Sequence, residues 1–99
     1  MGLFGRFLKK NAFPFRDKPN TAVITCVHVL EEKRPILRVV HDEDGDWQFL
    51  CGAGHDVDEA RVIALDEAYE LDPSVGQLAK LGYGRSADRA DANSNWVIT

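Results

Sequence analysis

Residues 41–52 read HDEDGDWQFLCG, an acidic segment around Gly45 that runs straight into Trp47, Phe49 and Cys51 at alternate positions. Glycine among aspartates suits the backbone of a tight reversal, and bulky side chains at every second position suit a pleated surface buried on one side. The stretch predicts a turn over 42–46 and a strand over 47–51, which together announce a small antiparallel sheet.

Working outward, residues 36–41 alternate Leu37 and Val39 against Arg38 and give the strand that enters the turn. Residues 22–30, AVITCVHVL, are β-branched and apolar on both faces, which predicts a central strand. A charged turn over 31–34 links the two, so three strands joined by short reversals make an antiparallel meander. Residues 61–64 add a fourth strand. The period then changes, because Leu65, Ala68, Tyr69 and Leu71 recur at helical spacing. That helix ends at Asp72, since Pro73 disfavours helical geometry in the residue before it. Pro73 then opens a second helical turn, capped by Asp72 and carrying Val75, Leu78 and Leu81. Gly82 and Gly84 stop it, 85–95 is polar and reads as loop, and Trp96, Val97 and Ile98 return to an apolar contact. The expected fold class is α+β: an antiparallel meander of about four to five strands packed with two short helices.

Ninety-nine residues with 44% hydrophobic content suit one core. The expected organisation is a basic tail and linker over 1–20, closed by Pro14 and Pro19, and a single domain over 21–99. Two cysteines are too few for a disulfide scaffold and match no tight metal spacing, which points to a reducing cytoplasm. No apolar run approaches the roughly 18 residues that cross a bilayer, and no secretory signal opens the chain. Residues 1–20 hold five basic side chains against Asp17, net +4, while the remainder holds seven basic and fifteen acidic, net −8. An acidic body repels phosphate backbones, so no nucleic-acid partner is expected.

In the tail, Leu3, Phe4, Phe7 and Leu8 fall on one side of a short helix with Arg6, Lys9 and Lys10 beside them. Such a segment either docks its phenylalanines on its own domain or lies on a membrane surface. Gly2 does not begin an N-myristoylation pattern, because Arg6 stands where serine or threonine is needed.

Groups capable of chemistry are few. Counting from Asp42, the glycine and glutamate places of an EF-hand hold Trp47 and Ala53, so the acidic turn is read as turn chemistry. Cys26, His28, His41, Cys51 and His55 are the soft or borderline metal donors; Cys26 and His28, two apart in the strand, share a face, and zinc could use four of the five if the third strand lay close by. Their spacing matches no tight zinc motif, so they are assigned to packing and neither a metal nor a cofactor is expected. Cys51 with His55 or His41 is the one pair that could serve nucleophilic catalysis, and nothing in the sequence orients it. Gly52 and Gly54 form no dinucleotide fingerprint, and Ser86 has no nucleophile-elbow context. No catalytic residue is assigned.

The order of features has a precedent. The acidic glycine turn followed by Trp47, Gln48, Phe49, Leu50 and Gly52, then Ile63, Ala64 and Leu65, then Asp72 and Pro73 with Val75 and Leu78, then a glycine-to-arginine stretch over 84–89, resembles small bacterial domains of unknown function grouped with immunity proteins. The resemblance spans about residues 21–97 and departs from the family where Ser86, Ala87 and Asp88 replace a more usual aromatic. It implies an α+β fold, a bacterial cytoplasmic setting and the neutralising of a toxin, with no catalytic residues to carry over.

The expected function is a non-enzymatic protein-binding domain whose acidic surface meets a basic, toxin-like partner through Asp42, Glu43, Asp44, Asp46, Asp56, Asp58 and Glu59. The alternative is a membrane-surface accessory protein anchored by Leu3, Phe4, Phe7, Leu8, Lys9 and Lys10. A third class, a small metal-dependent or thiol enzyme, needs a pocket that gathers Cys51 and a histidine.

Overall fold

The computed structural model describes residues 13–54 and 56–99. The tail positions Leu3, Phe4, Phe7, Leu8, Lys9 and Lys10, and also His55, lie outside the described residues.

The hairpin stands where the sequence puts it. Strands β2 (Arg38–His41) and β3 (Trp47–Leu50) pair antiparallel with His41 opposite Trp47. Asp42 organises the turn between them: its carboxylate accepts from the amides of Asp44 at 2.9 Å and Asp46 at 3.0 Å, while its carbonyl accepts from Gly45. Gly45 has φ +93°, the left-handed region where a side chain is strained.

The chain is α+β, with a six-stranded, mostly antiparallel sheet in the order β4-β1-β3-β2-β5-β6. Here β1 is Ala22–Cys26, β4 is Ala60–Ala64, β5 is Arg85–Asp88 and β6 is Val97–Ile98. The expected β1-β2-β3 meander does not form: only β2-β3 and β5-β6 pair consecutive strands, and the other three pairings are crossovers. β3 inserts between β1 and β2 and runs parallel to β1, with Ile24 opposite Gln48, while β4 covers the other side of β1 antiparallel. As its two-faced apolar composition predicts, β1 is an interior strand.

Three local expectations are corrected. The strand read over 22–30 stops at Cys26, and Val27–Leu30 forms a helical turn, α1, that buries Val29 and closes with the Glu31 amide on the Val27 carbonyl. Residues 85–88, read as loop, form β5, because its cross-strand contacts are polar as well as apolar. Ala87 enters the core, and Arg38 donates to both carboxylate oxygens of Asp88 at 2.9 Å. Phe13 and Phe15, in the stretch read as tail and linker, pack on the core. Phe15 is 6% exposed and meets Trp47, Phe49 and Tyr69 edge-on.

Helix α2 (Leu65–Leu71) and the 3-10 segment Pro73–Leu78 follow the expected proline boundary. The first amides of α2 are satisfied by the carbonyls of Thr21 and Pro19, and Glu67 accepts from the Ala64 amide. Asp72 caps the next segment by accepting from Ser74. Leu65, Ala68, Val75 and Leu78 then cover Val23, Val39, Phe49 and Ile63 in one core. The reverse face carries a row that crosses five strands, Val62, Ile24, Gln48, Val40 and Ser86, with Val62 exposed. Among the described residues no helix is long and apolar enough to cross a membrane.

Candidate functional site

Two local events build a cluster of thiols and imidazole. β1 ends at Cys26, and the helical turn α1 that follows swings His28 back across the end of the neighbouring strand. β3 ends at Leu50, and Cys51 follows it just before Gly52, whose φ of +88° turns the chain away; a β-carbon there would stand 3.2 Å from that of Leu37. Because β1 and β3 are parallel neighbours, their C-terminal ends lie together. The donor atoms of Cys26, His28 and Cys51 all lie within 4.8 Å of one another.

Cys51 Sγ is 3.4 Å from His28 Nδ1, and His28 Nε2 faces Glu59 Oε2 at 3.5 Å. Glu59 is itself fixed. It belongs to the 3-10 turn Val57–Glu59, where its other oxygen accepts from the Asp56 amide at 2.9 Å and its own amide donates to the Asp56 carbonyl. Both cysteines are reduced and buried, Cys26 completely.

Of the four donors that the sequence offered among the described residues, the fold gathers three. His41 sits at the opposite end of β3, stacked on Trp47 with ring centroids 3.8 Å apart and bonded through Nδ1 to the Leu81 carbonyl. Cys51 thus meets His28 rather than His41. Sequence reasoning left His28 and Glu59 out of any such pairing because α1 was taken for strand, yet the Cys-x-His spacing at the end of an apolar run was the available signal.

The order Cys51, His28, Glu59 has the layout of nucleophile, base and orienting acid. Its electrostatics do not favour a thiolate nucleophile, since burial pushes the Cys51 thiol above its ordinary value and Cys26 beside it pushes the same way. Two thiols and an imidazole are, by contrast, donors suited to a zinc-class ion.

The seven acids named from sequence fall into two groups. Asp42, Glu43, Asp44 and Asp46 form the turn that enters β3, whereas Asp56, Asp58 and Glu59 follow its far end. They do not make one continuous patch. Glu59 is engaged with His28 and Asp56, and Asp42 holds its own turn, which leaves Glu43, Asp44 and Asp46 as exposed carboxylates at the hairpin end.

Tyr83, not singled out in the sequence, stands beside that turn. It is 69% exposed, its ring lies next to Gly45, and its edge meets His41. A cleft of about 680 Å³ opens here, lined among others by Pro14, Arg16, His41, Trp47, Lys80 and Tyr83. Arg89 is buried in structural bonds, and Trp96 lies against it with the guanidinium 4.4 Å from the ring centre.

Comparison of the chain with protein-family models, with curated proteins and with solved structures finds no match.

Proposed function

We propose that the chain is a non-enzymatic binding domain that meets a basic protein surface, toxin-like in the manner of immunity proteins, through the end of the sheet that carries the acidic hairpin. The observation behind this reading is the pairing of a pre-organised acidic turn with an exposed tyrosine. Asp42 ties the turn to its own amides, so Glu43, Asp44 and Asp46 are held outward before any partner arrives. Tyr83 supplies a rigid amphipathic anchor beside them. A turn that needs no further ordering loses little conformational freedom on binding, and tyrosine concentrates binding energy where it can be desolvated. The like charges steer a cationic partner into register.

The test is affinity capture by the full chain against the products of genes encoded beside its own. The expected partner is basic, is released as salt rises, and is lost when Glu43→Gln, Asp44→Asn and Asp46→Asn are combined or when Tyr83→Ala is made. Capture that ignores both variants, or that salt does not weaken, defeats the reading.

A further inference from the structure

We propose that Cys26, His28 and Cys51 form a binding site for a zinc-class divalent ion, with Glu59 as the positioning residue that holds His28. The site goes beyond the binding surface above and lies at the opposite end of β3 from it.

Geometry is the first support. A tetrahedral ion with Zn–S of about 2.3 Å and Zn–N of about 2.0 Å requires sulfur-to-nitrogen edges of about 3.5 Å and sulfur-to-sulfur edges of about 3.8 Å. The Cys51–His28 edge is 3.4 Å, and every edge is within 4.8 Å. Closing the widest permitted edge onto an ion therefore asks for a movement of about 1 Å, within the reach of side-chain rotation.

The surroundings are the second support. A ligating histidine ordinarily presents its other ring nitrogen to a carboxylate, which fixes the tautomer and raises ligand basicity. His28 does this toward Glu59, and the Glu59 carboxylate is anchored by the Asp56 amide rather than left to wander. Charge is the third. When a divalent ion binds, each thiol gives its proton to solvent and each sulfur donates a lone pair to the metal. Two thiolates with one neutral imidazole then cancel the charge of the ion, so a neutral unit occupies a place where Cys26 is 0% and Cys51 6% exposed. Among the described residues three protein donors face the ion, and the fourth tetrahedral position is open to a further donor, such as water or an atom of a bound molecule.

The ion would tie the ends of β1 and β3, already paired along their backbones, to His28 of α1, which reaches the 3-10 turn before β4 through Glu59. It would therefore raise the stability of the whole fold through its preference for the native state.

The experiment uses the full chain, purified under reductant, stripped with chelator and checked for native circular dichroism. Zinc is expected to return to one ion per chain by elemental analysis, to raise the Tm and to protect both cysteines from alkylation. Cobalt is expected to give a thiolate-to-metal charge-transfer band that zinc abolishes. Cys26→Ser and Cys51→Ser should each lose that band, and Glu59→Gln should keep the stoichiometry while affinity falls by about 10- to 100-fold. Should the serine variants fail to fold, alkylation protection and the Tm rise of the unaltered chain still decide. A folded, reduced chain that takes up no stoichiometric zinc overturns the site. So does a cobalt band that survives both serine variants, or a stable Cys26–Cys51 disulfide whose reduction exposes no metal uptake. None of these outcomes bears on partner capture at the hairpin end.

Discussion

Arg89 and Asp72, 17 positions apart in the chain, meet as an ion pair in which the guanidinium is 2% exposed and the carboxylate 21%. The arginine spends its remaining donors on backbone and hydroxyl. Nε and Nη2 both reach the Ile36 carbonyl, at 3.0 and 2.8 Å, and Nη1 reaches Ser74 Oγ and the Ala92 carbonyl. One side chain thus joins the segment before β2, the proline-initiated 3-10 turn and the chain that leaves β5. Arg89→Ala leaves the Ile36 carbonyl and one oxygen of the half-buried Asp72 carboxylate without their donor, and is expected to lower stability by about 2–4 kcal/mol, read from the urea midpoint. Asp72→Ala should be strongly non-additive with it, because the two residues share one network. Additive losses would show the pair to be independent.

Phe15 tests where the packed body begins. Its ring is 6% exposed and lies 5.2 Å from that of Trp47, centre to centre. Phe15→Ala is expected to cost about 3–5 kcal/mol, and a chain begun at residue 21 should lose at least as much. Thermal melts that leave either variant unchanged would place this aromatic outside the cooperative unit.

Gly52 carries a positive φ, and a β-carbon there would stand 3.2 Å from that of Leu37. Gly52→Ala adds a β-carbon to a left-handed backbone and is expected to cost about 1–2 kcal/mol. It also moves Cys51 relative to His28, so zinc affinity should fall in step with stability. The check is a denaturant curve paired with a cobalt titration on the same sample.

Asp91 gives a pH signature. The Asn93 amide and the Ser94 hydroxyl and amide hold its carboxyl below the ordinary value of 3.8. A carboxyl whose folded value is depressed contributes its stabilisation above the unfolded value and loses it as pH falls through the folded one. The turn over 91–94 should therefore loosen only below pH 3.8, with the Asp91 carboxyl carbon titrating late in an NMR series. Asp91→Asn should remove that late step.

What could be read from the sequence was what depends on near neighbours. The hairpin at Gly45, the helix that ends before Pro73 and the interior character of 22–26 each follow from residues a few positions apart. The insertion of β3 beside β1 does not, because pairing partners 24 residues apart leave no local trace. β5 escaped notice since Arg85, Ser86 and Asp88 are polar and only the cross-strand partners Arg38 and Val40 reveal them as strand. The thiol–imidazole cluster was visible as a set of residue types, but its convergence hangs on α1, where Val27, Val29 and Leu30 read as strand and fold as a helical turn.

The strand order also sets the timetable of synthesis. β1 hydrogen-bonds only to β3 and β4, both of which leave the ribosome after it. Both its edges stay open until residue 50 has emerged, and the edge that β4 covers stays open until residue 64 has. During that interval the nascent chain offers an unpaired β edge to chaperones or to other nascent chains, so the insertion that stabilises the finished sheet also makes its first strand the most vulnerable part of translation.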